Sequence, residues 1–94
     1  MKNNRSPEEY EYIPLDDPAF VWTTYDLGCS AALVCAGFEL LNLDKVNPRK
    51  ALFVFRKQDG IEDVVDAYWS DRLEVKARAY FDTVKMLKNR LYSE

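Results

Sequence analysis

Hydrophobic and polar positions change rhythm several times along this chain, and each rhythm predicts an element. Phe20-Val21-Trp22-Thr23-Thr24-Tyr25 is dense in aromatic and β-branched residues and predicts a first strand. Asp26 follows as a helix N-cap, its carboxylate placed to accept from the free N–H groups of the next turn. Leu27 to about Ala36 predicts a first helix, with Gly37 as its left-handed stop. That stretch has no charge and is full of small residues: Gly28, Cys29, Ser30, Ala31, Ala32, Ala36. A helix apolar all round is a buried helix, and small side chains imply close approach to a sheet or another helix.

Phe38-Glu39-Leu40-Leu41-Asn42-Leu43 predicts a second strand, with a helical extension as the alternative. Residues 44–49 form the turn, where Asn47-Pro48 is a strong breaker. Lys50 to Arg56 predicts a third strand, closed by Gln58-Asp59-Gly60 and paired with the second as a hairpin. Ile61, Val64, Val65, Tyr68 and Trp69 then recur at helical spacing, so a second helix is expected from Ile61 to about Ser70. A third is expected from about Val75 to Tyr92, docking through an apolar face that includes Tyr80, Phe81, Val84, Leu87 and Leu91. Lys85, Lys88 and Arg90 sit in its last turns and complement the helix dipole. The order β-α-β-β-α-α predicts an α+β fold: one small domain with a three-stranded, mainly antiparallel sheet and packed helices.

The first nineteen residues follow neither period. Pro7, Pro14 and Pro18 punctuate them, and Glu8, Glu9, Glu11, Asp16 and Asp17 make them acidic. They read as an arm, residues 1–19, ahead of a domain spanning 20–94. A purely solvated arm has no use for Tyr10, Tyr12, Ile13 and Leu15, so Tyr10, Tyr12 and Ile13 are expected to contact something. With 94 residues in all, and roughly 100–200 per domain as the norm, a second domain has no room.

Composition narrows the chemistry. There is no histidine, which removes the commonest general base and zinc ligand. Ser30 and Cys29 have no base beside them, and Cys29 and Cys35 are about 9 Å apart along one helix, beyond disulfide reach. Both cysteines read as small core residues. Glu62, Asp63 and Asp66 suggest a cation site less than they suggest acids placed favourably at a helix start. No phosphate-cradling glycine spacing occurs. The expectation is therefore a protein that is not an enzyme and uses no cofactor and no metal. No signal segment or membrane span is visible, so the cytoplasm is the expected location and no membrane the expected partner.

The residues also carry a resemblance. Tyr25-Asp26-Leu27 leads into Ala31-Ala32-Leu33 and Gly37-Phe38-Glu39-Leu40; Asn47-Pro48-Arg49 precedes Phe53-Val54-Phe55; Tyr68-Trp69 precedes Ala77-Arg78, Phe81, Leu87-Lys88 and Leu91-Tyr92. This succession, from about Trp22 to Tyr92, resembles a family of small proteins of unknown function encoded in bacteria, phages and prophages. The resemblance implies an intracellular, mobile-element-type setting and carries no catalytic residues with it.

Strands one and three are apolar on both faces, which asks for two covers. Helices supply one. For the other, three remain open: the arm, a second copy or another protein, or nucleobases stacking on the aromatics. The candidate surface is Trp22, Phe53 and Phe55 with the flanking cations Arg49, Lys50, Arg56 and Lys57. Charge is uneven: residues 1–47 carry 3 basic and 8 acidic groups, residues 48–94 carry 10 and 8. The leading expectation is an interaction module, an accessory protein binding a protein partner or forming a homodimer. The runner-up is a nucleic-acid-binding module using the strand-two/strand-three hairpin.

Overall fold

A computed structural model describes residues 13–47 and 49–93. Its elements are β1 (Val21–Thr24), α1 (Leu27–Cys35), β2 (Leu40–Asn47), β3 (Lys50–Arg56), α2 (Ile61–Trp69) and α3 (Ala77–Tyr92). The strands make one open antiparallel sheet in the order β1-β3-β2, and the fold is α+β. Residues 38–43 do not extend α1; β2 is a strand, and it runs on to Asn47 through what the sequence suggested was a turn. Among the described residues no helix is long and apolar enough to cross a membrane.

α1 forms where the caps allow it. The Cys29 N–H donates to the Asp26 carboxylate at 2.7 Å, closing the N-terminus as expected. At the other end Gly37 has φ 99°, and the N–H groups of Gly37 and Phe38 donate to the carbonyls of Val34 and Leu33. That pair of bonds ties off the last turn and needs a left-handed residue at Gly37. Between the caps, Cys29, Ser30, Ala31, Ala32 and Leu33 are all buried. The one polar side chain among them, Ser30, donates from Oγ to the Asp26 carbonyl at 2.8 Å, so its hydroxyl is buried at little cost. α1 packs against both α2 and α3.

Rows of side chains cross the sheet. Trp22, Phe55 and Leu40 are register neighbours, as are Thr24, Phe53 and Leu43. These rows face the helices: Phe53 and Phe55 join Cys29, Ala31, Leu33, Ile61 and Leu87 in the core, with Trp22, Leu40 and Leu43 packed against it. The opposite rows mix polar and apolar groups, Thr23–Val54–Asn42 and Leu52–Asp44. This outer face is therefore less apolar than the alternation within β3 suggested. Leu15, Asp16 and Pro18 share a depression of about 310 Å³ there with Val21, Leu52 and Val54. The chain ahead of β1 thus reaches onto the outer face, and Ile13 is half-buried.

α3 corrects the expected helical phase. Phe81 is 60% exposed, whereas Leu87 is fully buried and Tyr80, Val84 and Leu91 pack against the core. Tyr80 and Phe81 are adjacent aromatics about 100° apart around the helix, and the narrow stripe that α3 buries follows the 80, 84, 87, 91 spacing and leaves Phe81 outside it. The inward Tyr80 donates from its hydroxyl to the Gly28 carbonyl at 3.2 Å, a bond that Phe81 lacks the atom to make.

Candidate functional site

A concavity opens where the β2–β3 hairpin turns, against the last turn of α3. It holds about 430 Å³, within the range of small-ligand sites. Leu27, Ala51, Phe53 and Leu91 contribute its apolar lining. Tyr25 and Tyr92 also line it, 54% and 82% exposed. Three cations complete it: Lys45 from β2, Arg49 from the turn and Lys50 from β3.

Local geometry sets what each cation is free to do. The Arg49 N–H donates to Asn47 Oδ1 at 2.8 Å, fixing the turn that presents the Arg49 side chain. Lys50 Nζ sits over the Tyr25 ring, 4.8 Å from its centroid. Lys45 Nζ donates to the Ser93 carbonyl just past α3, where the helix dipole leaves negative charge. Among the described residues, none of the three forms an ion pair with a carboxylate. An anionic group arriving here would meet Arg49 and Lys50 with no carboxylate partner among the described residues, while Lys45 is already engaged by the Ser93 carbonyl.

The expected surface residues separate into three groups. Arg49 and Lys50 stand in the cleft. Arg56 and Lys57 lie at the other end of β3, about 20 Å away at strand rise. There Arg56 pairs with Glu39 at 2.8 Å and Lys57 donates to the Pro18 carbonyl at 3.4 Å. Phe53 and Phe55 are corrected as a docking surface, and Trp22 beside them is half-buried. Phe53 and Phe55 are 1% and 0% exposed, and Trp22 packs on the same core. Alternation along a strand says which residues share a face, not which face the helices will take. Tyr10 and Tyr12 lie outside the described residues. Tyr25, Lys45 and Tyr92 belong to the cleft without having been singled out, because the contact joining α3's end to the hairpin is long-range.

The Cys29 thiol in α1 is poorly placed to act as a nucleophile. Burial, with the Asp26 carboxylate adding to it, pushes the Cys29 thiol up to about 11, so the thiolate is scarce at neutral pH. Tyr68 is pushed up to about 12, first by burial and then by its hydrogen bond with Tyr80. Glu62, Asp63 and Asp66 form no metal-holding group; among the described residues there is none.

The sequence from β1 through α3 also matches a known family: residues 21–93 fit the domain of unknown function DUF5659. The chain belongs to that family. No curated protein and no solved structure matches it. The DUF5659 match spans all six elements, so both walls of the cleft, the hairpin and the end of α3, lie inside the family domain.

Proposed function

We propose that this chain is a non-enzymatic binding module and that its site is the hairpin cleft, which receives a negatively charged group of its partner. The observation carrying this reading is the pair Arg49 and Lys50, without carboxylate partners among the described residues, beside two exposed tyrosines over an apolar floor. Charge and a flat apolar surface together suit a partner that has both an anion and a ring or aliphatic stem. The resemblance noted in the sequence supports an accessory protein of bacterial, phage or prophage type acting in the cytoplasm.

The test is an amide NMR titration with uridine monophosphate and, separately, with an acidic tyrosine-containing peptide. Shifts should cluster at residues 45–51 and 91–93 for at least one probe and vanish in the Arg49→Glu/Lys50→Glu variant. Shifts scattered over the surface, or unchanged by the charge reversal, would refute the site. A second reading, association with a protein or a second copy, draws on the apolar part of the outer-face depression, Leu15, Val21, Leu52 and Val54. It requires a mass that rises with concentration in light scattering.

A further inference from the structure

α3 turns a second pattern toward solvent. Arg78, Phe81, Lys85, Lys88 and Tyr92 follow one another at steps of three or four, so they lie on one stripe of the helix, away from the Tyr80–Leu91 core face. All five are exposed: the Arg78 side chain to 94%, Phe81 to 60% and Tyr92 to 82%, with Lys85 and Lys88 also in solvent. Lys85 Nζ lies 5.3 Å from the centroid of the Phe81 ring. The part of the stripe between its two rings, Phe81 to Tyr92, covers eleven residue steps, about 16 Å of helix. Its last member, Tyr92, is a wall of the cleft. Asp82 is the one acidic residue on α3, and it sits at the flank beside Arg78.

A solvated helix has no need of two large exposed rings in line with its lysines. Resting on the cleft reading above, we propose that the stripe and the cleft form one continuous track for single-stranded nucleic acid. Phosphates lie along Lys88, Lys85 and the Arg49–Lys50 pair, and bases stack on Tyr92, Tyr25 and Phe81. The chemistry matches that of strand-binding surfaces, which combine a positively charged path with aromatic faces and need no base-specific contacts. An acidic peptide would answer the cations but leaves Phe81, more than a helical turn beyond the cleft, without a partner. A duplex fits less well, because its bases are already stacked and cannot use the rings.

The experiment is fluorescence anisotropy of the full chain with a labelled oligo-uridine or oligo-thymidine of roughly 15 nucleotides, long enough for the footprint of one small domain. Binding should weaken linearly in log salt, with a slope of about −0.7 per phosphate contacted. Tyr92→Ala should weaken binding roughly five- to hundred-fold, and Tyr92→Phe should restore it, because stacking needs the ring and not the hydroxyl. Lys85→Glu/Lys88→Glu should flatten the salt slope. Circular dichroism should show these variants folded, since every substituted side chain is exposed. Binding lost in Arg49→Glu/Lys50→Glu and in Tyr92→Ala but untouched by Lys85→Glu/Lys88→Glu would overturn the track and leave the cleft standing. Binding of an acidic peptide with none of the oligonucleotide would overturn the nucleic-acid assignment alone. Binding of neither would overturn both.

Discussion

Gly28 is where the hydroxyls of Tyr68 and Tyr80 meet α1, and it supports a quantitative prediction. A Cβ at this position would lie 2.4 Å from the Tyr68 hydroxyl and 3.2 Å from that of Tyr80. The first distance is about 1 Å inside ordinary contact, so the Tyr68 ring has to retreat. It has little freedom to do so: the ring is half-buried, meets Trp69 edge-on at 5.0 Å between centroids, and bonds through its hydroxyl to Tyr80. Overpacking of this kind costs about 1–3 kcal/mol, and loss of the Tyr68–Tyr80 bond adds about 0.5–1.5 kcal/mol. Alanine returns up to about 1 kcal/mol of helix propensity. Gly28→Ala should therefore destabilise by about 1–3 kcal/mol, a fall of several degrees in Tm for a domain this size. In a Tyr68→Phe background the clashing atom is gone, and the same substitution should fall within about 1 kcal/mol of neutral. Urea unfolding of the four proteins in this cycle measures the coupling. A coupling below about 0.5 kcal/mol would mean that Tyr68 yields freely and that the tight approach does not constrain the sequence.

Four further outcomes are expected. Asp26→Ala should cost about 0.5–2 kcal/mol by urea midpoint, since its carboxylate holds the Cys29 N–H. Leu87→Ala should cost about 2–5 kcal/mol, whereas Phe81→Ala, on the solvent side, should change stability by less than about 1 kcal/mol; equal costs would contradict the helical phase. Asp71 holds φ 62° at the end of α2, so Asp71→Gly should raise the midpoint, by up to about 1 kcal/mol. Stability should also fall in alkali. The folded state keeps Cys29 protonated to about 11 and Tyr68 to about 12, against ordinary values of 9.0 and 10.0. The unfolded chain therefore releases protons first, and stability present below about pH 9 declines as the pH rises through those folded values. Midpoints that stay flat from pH 8 to 11 would contradict this.

How far the sequence could be read depended on the range of the interaction. Local signals succeeded: the Asp26 cap, the Gly37 stop and the alternation in β3 are each fixed within a few residues. The limits appeared where a choice was made across the fold. Phe53 and Phe55 read equally well as a platform or a core, and only the placement of Leu33, Ile61 and Leu87 above them decides for the core. Tyr80 and Phe81 were both expected on the apolar face; only Tyr80 turns inward, where Gly28 supplies an acceptor for its hydroxyl, and Phe81 stays in solvent. Half of the cleft was visible as Arg49 and Lys50. Tyr25 and Tyr92 join them through a contact between residues far apart in sequence, which no local period encodes. The stripe on α3 was legible in principle, because 78, 81, 85, 88 and 92 share a face. Its lysines were read instead as partners of the helix dipole.

Placing β3 in the middle of the sheet leaves β1 and β2 at its edges, each paired on one side only among the described residues, and an unpaired edge is a template on which another chain can add. Both edges here are poor templates. β1 offers four residues, too short a run for firm pairing. β2 is longer, but its register slips between Leu40 and Asn42 and again between Lys45 and Asn47, and it carries Asp44 and Lys45 in the interval. An incoming strand would find its ladder interrupted twice and a charge of each sign along the way. The same slips that shape the hairpin thus make the β2 edge a poor template for a further strand.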